Sequence, residues 1–144
     1  MTEKTACLVM CGGQKRDGKN PSWAVYDSTL FEKSWAAASL LGDPYVMSAK
    51  HHLLTVDDRV RKYDMTLKNV TDEEKSQWGK TVKEQLPEHY SRVVLFGSRD
   101  YVEPLKNVLE TDIVDVYEDC RGNGEMMGVA SDIIETEMNG EPYL

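Results

Sequence analysis

The order of apolar and helical segments constrains the fold of this chain more than any other feature of its sequence. Four short apolar runs, at residues 6–10, 45–49, 93–96 and 113–117, alternate with four segments of helical spacing. Short apolar runs stopped by glycine or polar residues are typical of buried strands. Alternating strands and helices favour a mostly parallel sheet with helices on both faces. We therefore predict a single α/β domain over residues 1–144, a Rossmann-like three-layer α/β/α sandwich with a four-stranded sheet.

The ends of the predicted helices carry local signals. Asp27 or Ser28 can cap the first helix, and Gly42 can end it in a left-handed turn. The second helix begins with a capping box over residues 71–74. The last strand, residues 113–117, alternates apolar and polar side chains, which predicts an edge or half-covered position in the sheet.

Composition narrows the classes of function. The net charge is −8 and the pI about 4.9, so the surface as a whole repels nucleic-acid phosphates, although basic clusters remain at residues 14–19 and 59–62. The absence of a long apolar run and of a signal-peptide pattern predicts a cytoplasmic protein without membrane contact. The three cysteines and three histidines lack paired ligand spacing, so we expect neither disulfides, nor a metal, nor a cofactor.

Four segments that follow the predicted strands hold the residues with chemical potential. In open parallel sheets ligands bind beyond the carboxyl ends of the strands, which here means residues 11–19, 48–64, 97–101 and 119–124. Glycines after a strand let backbone amides approach an anion, and hydroxyl, ammonium, imidazole and carboxylate groups suit phosphate binding or proton transfer. The candidate ligand-binding residues are Cys11, Gly12, Gly13, Lys15, Ser48, His51, Tyr63, Gly97, Ser98 and Tyr101, and the candidate catalytic residues are Asp64, Asp57 and Lys50. Each segment also has a simpler interpretation, as a flexible turn, a solvated loop or a helix cap.

The same segments resemble a known superfamily. The strings CGGQK, WAVYDSTLF, VMSAKHHLL, DDRVRKYDMTL, VVLFGSRDY and GNGEMMG are similar to the small YaaA-like proteins of viral and archaeal genomes. That superfamily includes the peroxide-stress protein YaaA and is distantly similar to part of archaeosine synthase. The matching positions are Cys11, Lys15, Tyr26, Ser28, Phe31, Ser48, Lys50, Leu53, Asp57, Tyr63, Asp64, Gly97 and Tyr101. The chain departs from the pattern at His51-His52, where the family has an aromatic residue and then glycine, which tolerates a positive φ.

The resemblance implies a nucleotide-like ligand, because relatives in the superfamily are associated with DNA damage, nucleotides and modified nucleobases. We expect a nucleotide- or nucleobase-handling enzyme, for example one that cleaves or exchanges an N-glycosidic bond. The roles in this hypothesis are acid–base or sugar contact for Asp64 or Asp57, phosphate binding for Lys15 and Lys50, and base contact for Tyr63 or Tyr101. The alternatives are a non-enzymatic protein that binds DNA or a partner protein, such as a viral accessory factor, and a structural subunit. The sequence sets no oligomeric state.

Overall fold

The computed structural model describes residues 4–12 and 15–144. The strands are β1 (Thr5–Met10), β2 (Lys19–Pro21), β3 (Asp43–Ser48), β4 (His52–Leu54), β5 (Arg59–Arg61), β6 (Arg92–Phe96) and β7 (Asp112–Asp115). The helices are α1 (Ser22–Val25), α2 (Thr29–Leu41), α3 (Asp72–Gln85), α4 (Arg99–Lys106) and α5 (Asn123–Met138), with a 3₁₀ turn at Leu67–Asn69. No helix in these ranges is both long and apolar enough to cross a membrane.

The main sheet has the strand order β4-β3-β1-β6-β7. Strands β3, β1, β6 and β7 are parallel, and β4 is antiparallel to β3. The chain leaves β1 through α2 towards β3, and later leaves β6 through α4 towards β7 in the opposite direction. The strand order therefore reverses between β1 and β6, which is where sheets of this kind bind ligands.

The helices cover the sheet in two pairs. Helix α2 packs against α5, and α3 packs against α4, so the sheet is the central layer of three. Residues 6–9 of β1 and 93–96 of β6 have no solvent-exposed surface, because they lie in the middle of this sandwich. Helices α3 and α4 approach closely at Gly79, where the Cβ of any larger residue would lie 2.7 Å from the Pro104 carbonyl oxygen.

The prediction of a mostly parallel α/β/α sandwich is confirmed, with a correction to the strand count. The main sheet has five strands rather than four, because three residues of the segment expected to be a loop form β4 at its edge. The edge position predicted for the last strand is confirmed by β7. Both predicted N-terminal caps form: Ser28 Oγ accepts a hydrogen bond from Phe31 N at 3.1 Å, and a capping box joins Thr71 and Glu74. The left-handed turn predicted at Gly42 is wrong: Gly42 follows α2 in extended backbone, at φ −177°, and glycine fits there because a Cβ would overlap the Thr5 carbonyl oxygen.

The adjacent histidines His51 and His52 lie where the turn after β3 leads into β4. Ser48 Oγ accepts a hydrogen bond from His51 N at 3.0 Å, and the chain then enters β4 with His52 at φ +64°. A short hairpin loop that ends in a left-handed residue normally has glycine there, since a side chain is strained at positive φ. His52 therefore holds the conformation that a glycine would adopt at lower cost.

Substituting glycine for His52 tests this strain. We expect His52→Gly to raise the free energy of unfolding by about 0.5–1 kcal/mol, because relief of the left-handed strain exceeds the entropy cost of glycine. The matched variant His51→Gly changes a neighbour whose φ is not positive, and we expect it to lower stability. Urea unfolding of both variants measures the difference, and a destabilised His52→Gly would contradict the assignment of strain.

Candidate functional site

A crevice of about 610 Å³ opens at the carboxyl ends of β1 and β6, where the strand order reverses. Met10 ends β1 and Cys11 follows it on one side of the crevice, and Ser98 follows β6 on the other. Asp64 and Met65 bring the segment after β5 over the same opening. The structure thus brings together residues that lie far apart in the sequence, at the position expected for a ligand site.

Three helices begin at this crevice. Thr29 of α2, Ser98 before α4 and Asn123 of α5 all line it. Ser28 caps α2, whereas neither α4 nor α5 has a side-chain cap among the described residues. The first amides of a helix have no partner within the helix and carry a partial positive charge. Together these helix starts favour an anionic group in the crevice.

The charged side chains of the crevice point to the same preference. Among its described lining residues these are Lys15, Lys68 and Asp64. Two cations against one carboxylate leave a positive balance, in contrast to the net charge of −8 for the whole chain. Positive groups at a concave site attract an anion more strongly than the same charges on an open surface.

Four of the seven methionines contribute apolar surface to the crevice: Met10, Met65, Met126 and Met127. Methionine side chains are flexible and polarizable, and they contact aromatic rings favourably. One part of the crevice thus offers amides and ammonium groups, and another offers a soft apolar surface.

A buried polar contact joins the end of β1 to helix α4. Cys11 Sγ lies 3.2 Å from the Tyr101 hydroxyl, and both residues are buried. Burial, followed by the neighbouring Cys11 thiol, raises the pKa of Tyr101 well above its usual value. Tyr101 packs edge-on against Trp78 at 5.7 Å between ring centroids, and Trp78 Nε1 donates to the Ser48 carbonyl at 2.9 Å. These contacts connect β1, α4, α3 and β3 beside the crevice.

A chain of hydroxyl groups beside the crevice joins the two tyrosines whose rings Lys15 contacts. The Tyr63 hydroxyl is 2.8 Å from that of Tyr26 and 2.6 Å from Ser48 Oγ. Lys15 Nζ lies 4.4 Å from the centre of the Tyr63 ring and 5.9 Å from that of Tyr26. The ring faces attract the ammonium group and hold it at the crevice.

The sequence-predicted residues divide into three groups. Those that line the crevice are Cys11, Gly12, Lys15, Asp64, Ser98 and Tyr101. Ser48 and Tyr63 are buried and support Lys15, as described above. Lys50, His51, Asp57 and Gly97 are not among the lining residues in the described part of the chain, and Gly13 lies outside that part.

The predicted site residues that do not line the crevice lie in nearby turns or in an adjoining cavity. His51 packs edge-on against Tyr63 at 5.1 Å between centroids, and burial, followed by the charges of Lys50 and His52, lowers its pKa. Lys50 is exposed in the β3–β4 turn, and Asp57 is exposed in the turn between β4 and β5. Gly97 lines an adjoining cavity of about 490 Å³ that shares Ser98 and Met126 with the crevice.

Sequence reasoning missed Thr66, Lys68 and the methionines of the crevice. Lys68 lies in the 3₁₀ turn just beyond the segment predicted to form the site, so extending that segment by one turn would have included it. In the described residues, no group of three or more His, Cys, Asp or Glu side chains is arranged to hold a metal ion.

Comparison with known proteins identifies the family. A model for a family of unknown function, DUF6884, matches residues 6–127. The chain belongs to this family. No curated protein matches the sequence.

A solved structure supports the fold. The crystal structure of AF0587, a protein of unknown function, is similar with a TM-score of 0.51 and 18% identity. The alignment covers 99% of this chain and 45% of AF0587, so the chain spans less than half the length of that protein. At this identity the likeness extends to the fold alone.

The hydroxyl chain predicts a specific loss of stability in alkali. Burial raises the pKa of Tyr26 to about 12, while an unfolded tyrosine titrates near pH 10. Above about pH 10 the folded protein therefore binds more protons than the unfolded chain, and stability falls as pH rises. We expect Tyr26→Phe to reduce this slope by about 1.4 kcal/mol per pH unit between about pH 10 and 12.

Urea unfolding over that pH range measures the slope for each protein. Trp35→Phe also replaces an aromatic residue, one that is partly buried against the core, but it removes no titrating group, so its slope should match that of the original chain. Equal slopes for Tyr26→Phe and the original chain would contradict the assignment.

Proposed function

We propose that the crevice binds a nucleotide and that this chain handles nucleotides or their bases. Three helix starts and two lysines converge at the reversal point of the sheet, and this convergence supports a phosphate-bearing ligand. Such a position combines the backbone amides of helix starts with lysine ammonium groups, and both kinds of group recognise phosphate. The crevice volume of about 610 Å³ is within the usual range for small-molecule sites.

The proposed orientation of the ligand follows from the two kinds of surface. The phosphate contacts Lys15, Lys68 and the backbone amides at the start of α4. Ser98 N already donates to Met10 Sδ, so the next amide, Arg99 N, is the one that donates to the phosphate. The base contacts the methionine surface, because a flat apolar ring matches flexible thioether side chains. Asp64 accepts hydrogen bonds from the sugar hydroxyls or from the edge of the base.

The proposed chemistry depends on Asp64. It is the one carboxylate among the described lining residues, so it is the candidate to accept a proton from water or to contact the sugar as an N-glycosidic bond breaks. The resemblance to YaaA-like proteins supports a nucleotide or modified base as the substrate class. Asp57 and Lys50, the other candidate catalytic residues, have no part in this arrangement.

Binding of mononucleotides and nucleosides tests the proposal. We expect nucleoside monophosphates to bind more tightly than the matching nucleosides, because the phosphate supplies the charge-assisted contacts. Lys15→Gln should weaken nucleotide binding by about 10- to 100-fold, which corresponds to loss of one hydrogen bond to a charged group. Calorimetric titration of a panel of natural and modified nucleotides measures both effects.

Lys50→Gln is the matched control. It removes an equal charge from the neighbouring strand end, but Lys50 does not line the crevice, so affinity should stay within about two-fold. Asp64→Asn should retain binding and lose turnover by about 100-fold or more where the panel contains a substrate. Absence of binding across the panel, or equal losses in Lys15→Gln and Lys50→Gln, would contradict the proposal.

A further inference from the structure

The two basic clusters of the sequence meet in one small sheet. Strand β2 pairs antiparallel with β5, with Lys19 opposite Arg61 and Pro21 opposite Arg59. We call this two-stranded sheet the basic ribbon. Its strands come from segments about 40 positions apart, so the sequence alone does not reveal the cluster.

The cations of the basic ribbon share its outer face. Side chains alternate between the two faces of a strand, and residues opposite each other in a pair project to the same face. Lys19, Arg59 and Arg61 thus share one face, and all three are exposed. Val60 projects to the other face and is buried, at 4% exposure, so that face is turned to the body of the protein.

These three cations have no carboxylate partner among the described residues. The ion pairs in that part of the chain do include two nearby cations: Arg16 lies 3.4 Å from Asp27, and Lys62 lies 3.4 Å from Asp17. They do not include Lys19, Arg59 or Arg61. The Arg59 guanidinium donates to the Lys19 carbonyl at 2.9 Å, which orders part of the face but leaves its charge uncompensated.

An exposed tryptophan stands beside the basic ribbon. Helix α1 follows β2 directly and contacts both strands of the ribbon. Its Trp23 is 49% exposed, although indole rings are usually well buried. An accessible aromatic ring next to uncompensated cations is the combination that binds single-stranded nucleic acid, through base stacking and phosphate contact.

The chain on one side of each ribbon strand, before β2 and after β5, leads to the crevice. Before β2, Lys15 forms a bridge with Tyr26, and Arg16 N donates to the Val25 carbonyl at 2.7 Å. After β5, the chain reaches Asp64 three residues beyond Arg61. Lys15 and Asp64 both line the crevice, so a polymer held on the ribbon has one of its units close to that opening.

We propose that the basic ribbon and Trp23 bind single-stranded nucleic acid, and that one nucleotide unit of the bound strand enters the crevice. The second part rests on the proposed function of the crevice. An unpaired strand fits better than a duplex, because an exposed indole stacks only on a base that is free of its partner. The acidic remainder of the surface also repels a long rigid duplex more than a short flexible strand held at the ribbon.

Salt-dependent binding of an oligonucleotide tests the contribution of the arginines. The probe is a fluorescein-labelled oligothymidylate of about 15 nucleotides, a length that covers a single-strand site. We expect Arg59→Gln/Arg61→Gln to lower its affinity at least ten-fold. The slope of log affinity against log salt should fall by about 1.4, which is about 0.7 for each lost phosphate contact.

The matched control removes two exposed charges elsewhere. Lys80→Gln/Lys83→Gln changes α3, and it should leave affinity within about two-fold. Circular dichroism of each variant verifies folding. Arg61→Glu is a second test of the ribbon. This variant keeps the contact between Arg59 and the Lys19 carbonyl, and it should also weaken binding of the oligonucleotide.

Substitution of Trp23 separates stacking from charge. We expect Trp23→Ala to lower affinity about ten-fold at every salt concentration, with an unchanged salt slope, because stacking releases no counterions. Trp23→Phe retains a ring for stacking and should recover most of the affinity. A loss that depends on salt, or an equal loss in both variants, would contradict the assignment to stacking.

The result for the ribbon is independent of the result for the crevice. If the oligonucleotide binds through the ribbon but mononucleotides do not bind, the ribbon site stands and the proposed function of the crevice falls. If the ribbon variants leave oligonucleotide affinity unchanged, the inference is overturned whatever mononucleotides do. It is also overturned if duplex DNA or polyglutamate of equal charge competes as well as an unlabelled single strand.

Discussion

The structure depends on β1, which is hydrogen-bonded on both edges by parallel strands. Residues 6–9 are fully buried, so the strand is fixed by the sheet and by the helices on both faces. The chain leaves β1 and β6 in opposite directions, which directs the starts of α2 and α4 to one opening. The topology of the sheet thus creates the crevice. The side chains that line it in the described residues then give it a net positive charge.

A second set of contacts secures the long return segment after β3. Trp78 binds the Ser48 carbonyl, Ser48 Oγ contacts the Tyr63 hydroxyl, and that ring lies against Lys15. Since each contact is buried or partly buried, the positions of Lys15 and of the segment leading to Asp64 are determined by the protein interior. The same segment supplies β5 of the basic ribbon, so the positions of ribbon and crevice are coupled through residues 59–64.

The elements that could be predicted from sequence are those with strong local signals. Each of these signals lies within a few neighbouring residues, as in the apolar runs of β1 and β6, the Ser28 cap and the Thr71 capping box. Strands β2, β4 and β5 and the short helix α1 were missed, because three or four residues are too few for a periodic pattern and the pairing of these strands is not apparent from the sequence. His52 at positive φ and Pro21 in a strand also contradict ordinary preferences. The site was predicted where it follows directly from strand ends, and it was missed at Lys68 and Met126, which reach the crevice through tertiary packing.

Mapping a phosphate ion by NMR tests whether the reversal point of the sheet is an anion site. A titration of the ¹⁵N-labelled chain with inorganic phosphate reports each amide separately. We expect the largest shifts at residues 98–100 and 123–125, where α4 and α5 begin at the crevice. Shifts confined to the cavity near Leu86, Tyr90 and Leu109, which lies in the segments that precede β6 and β7, would contradict it.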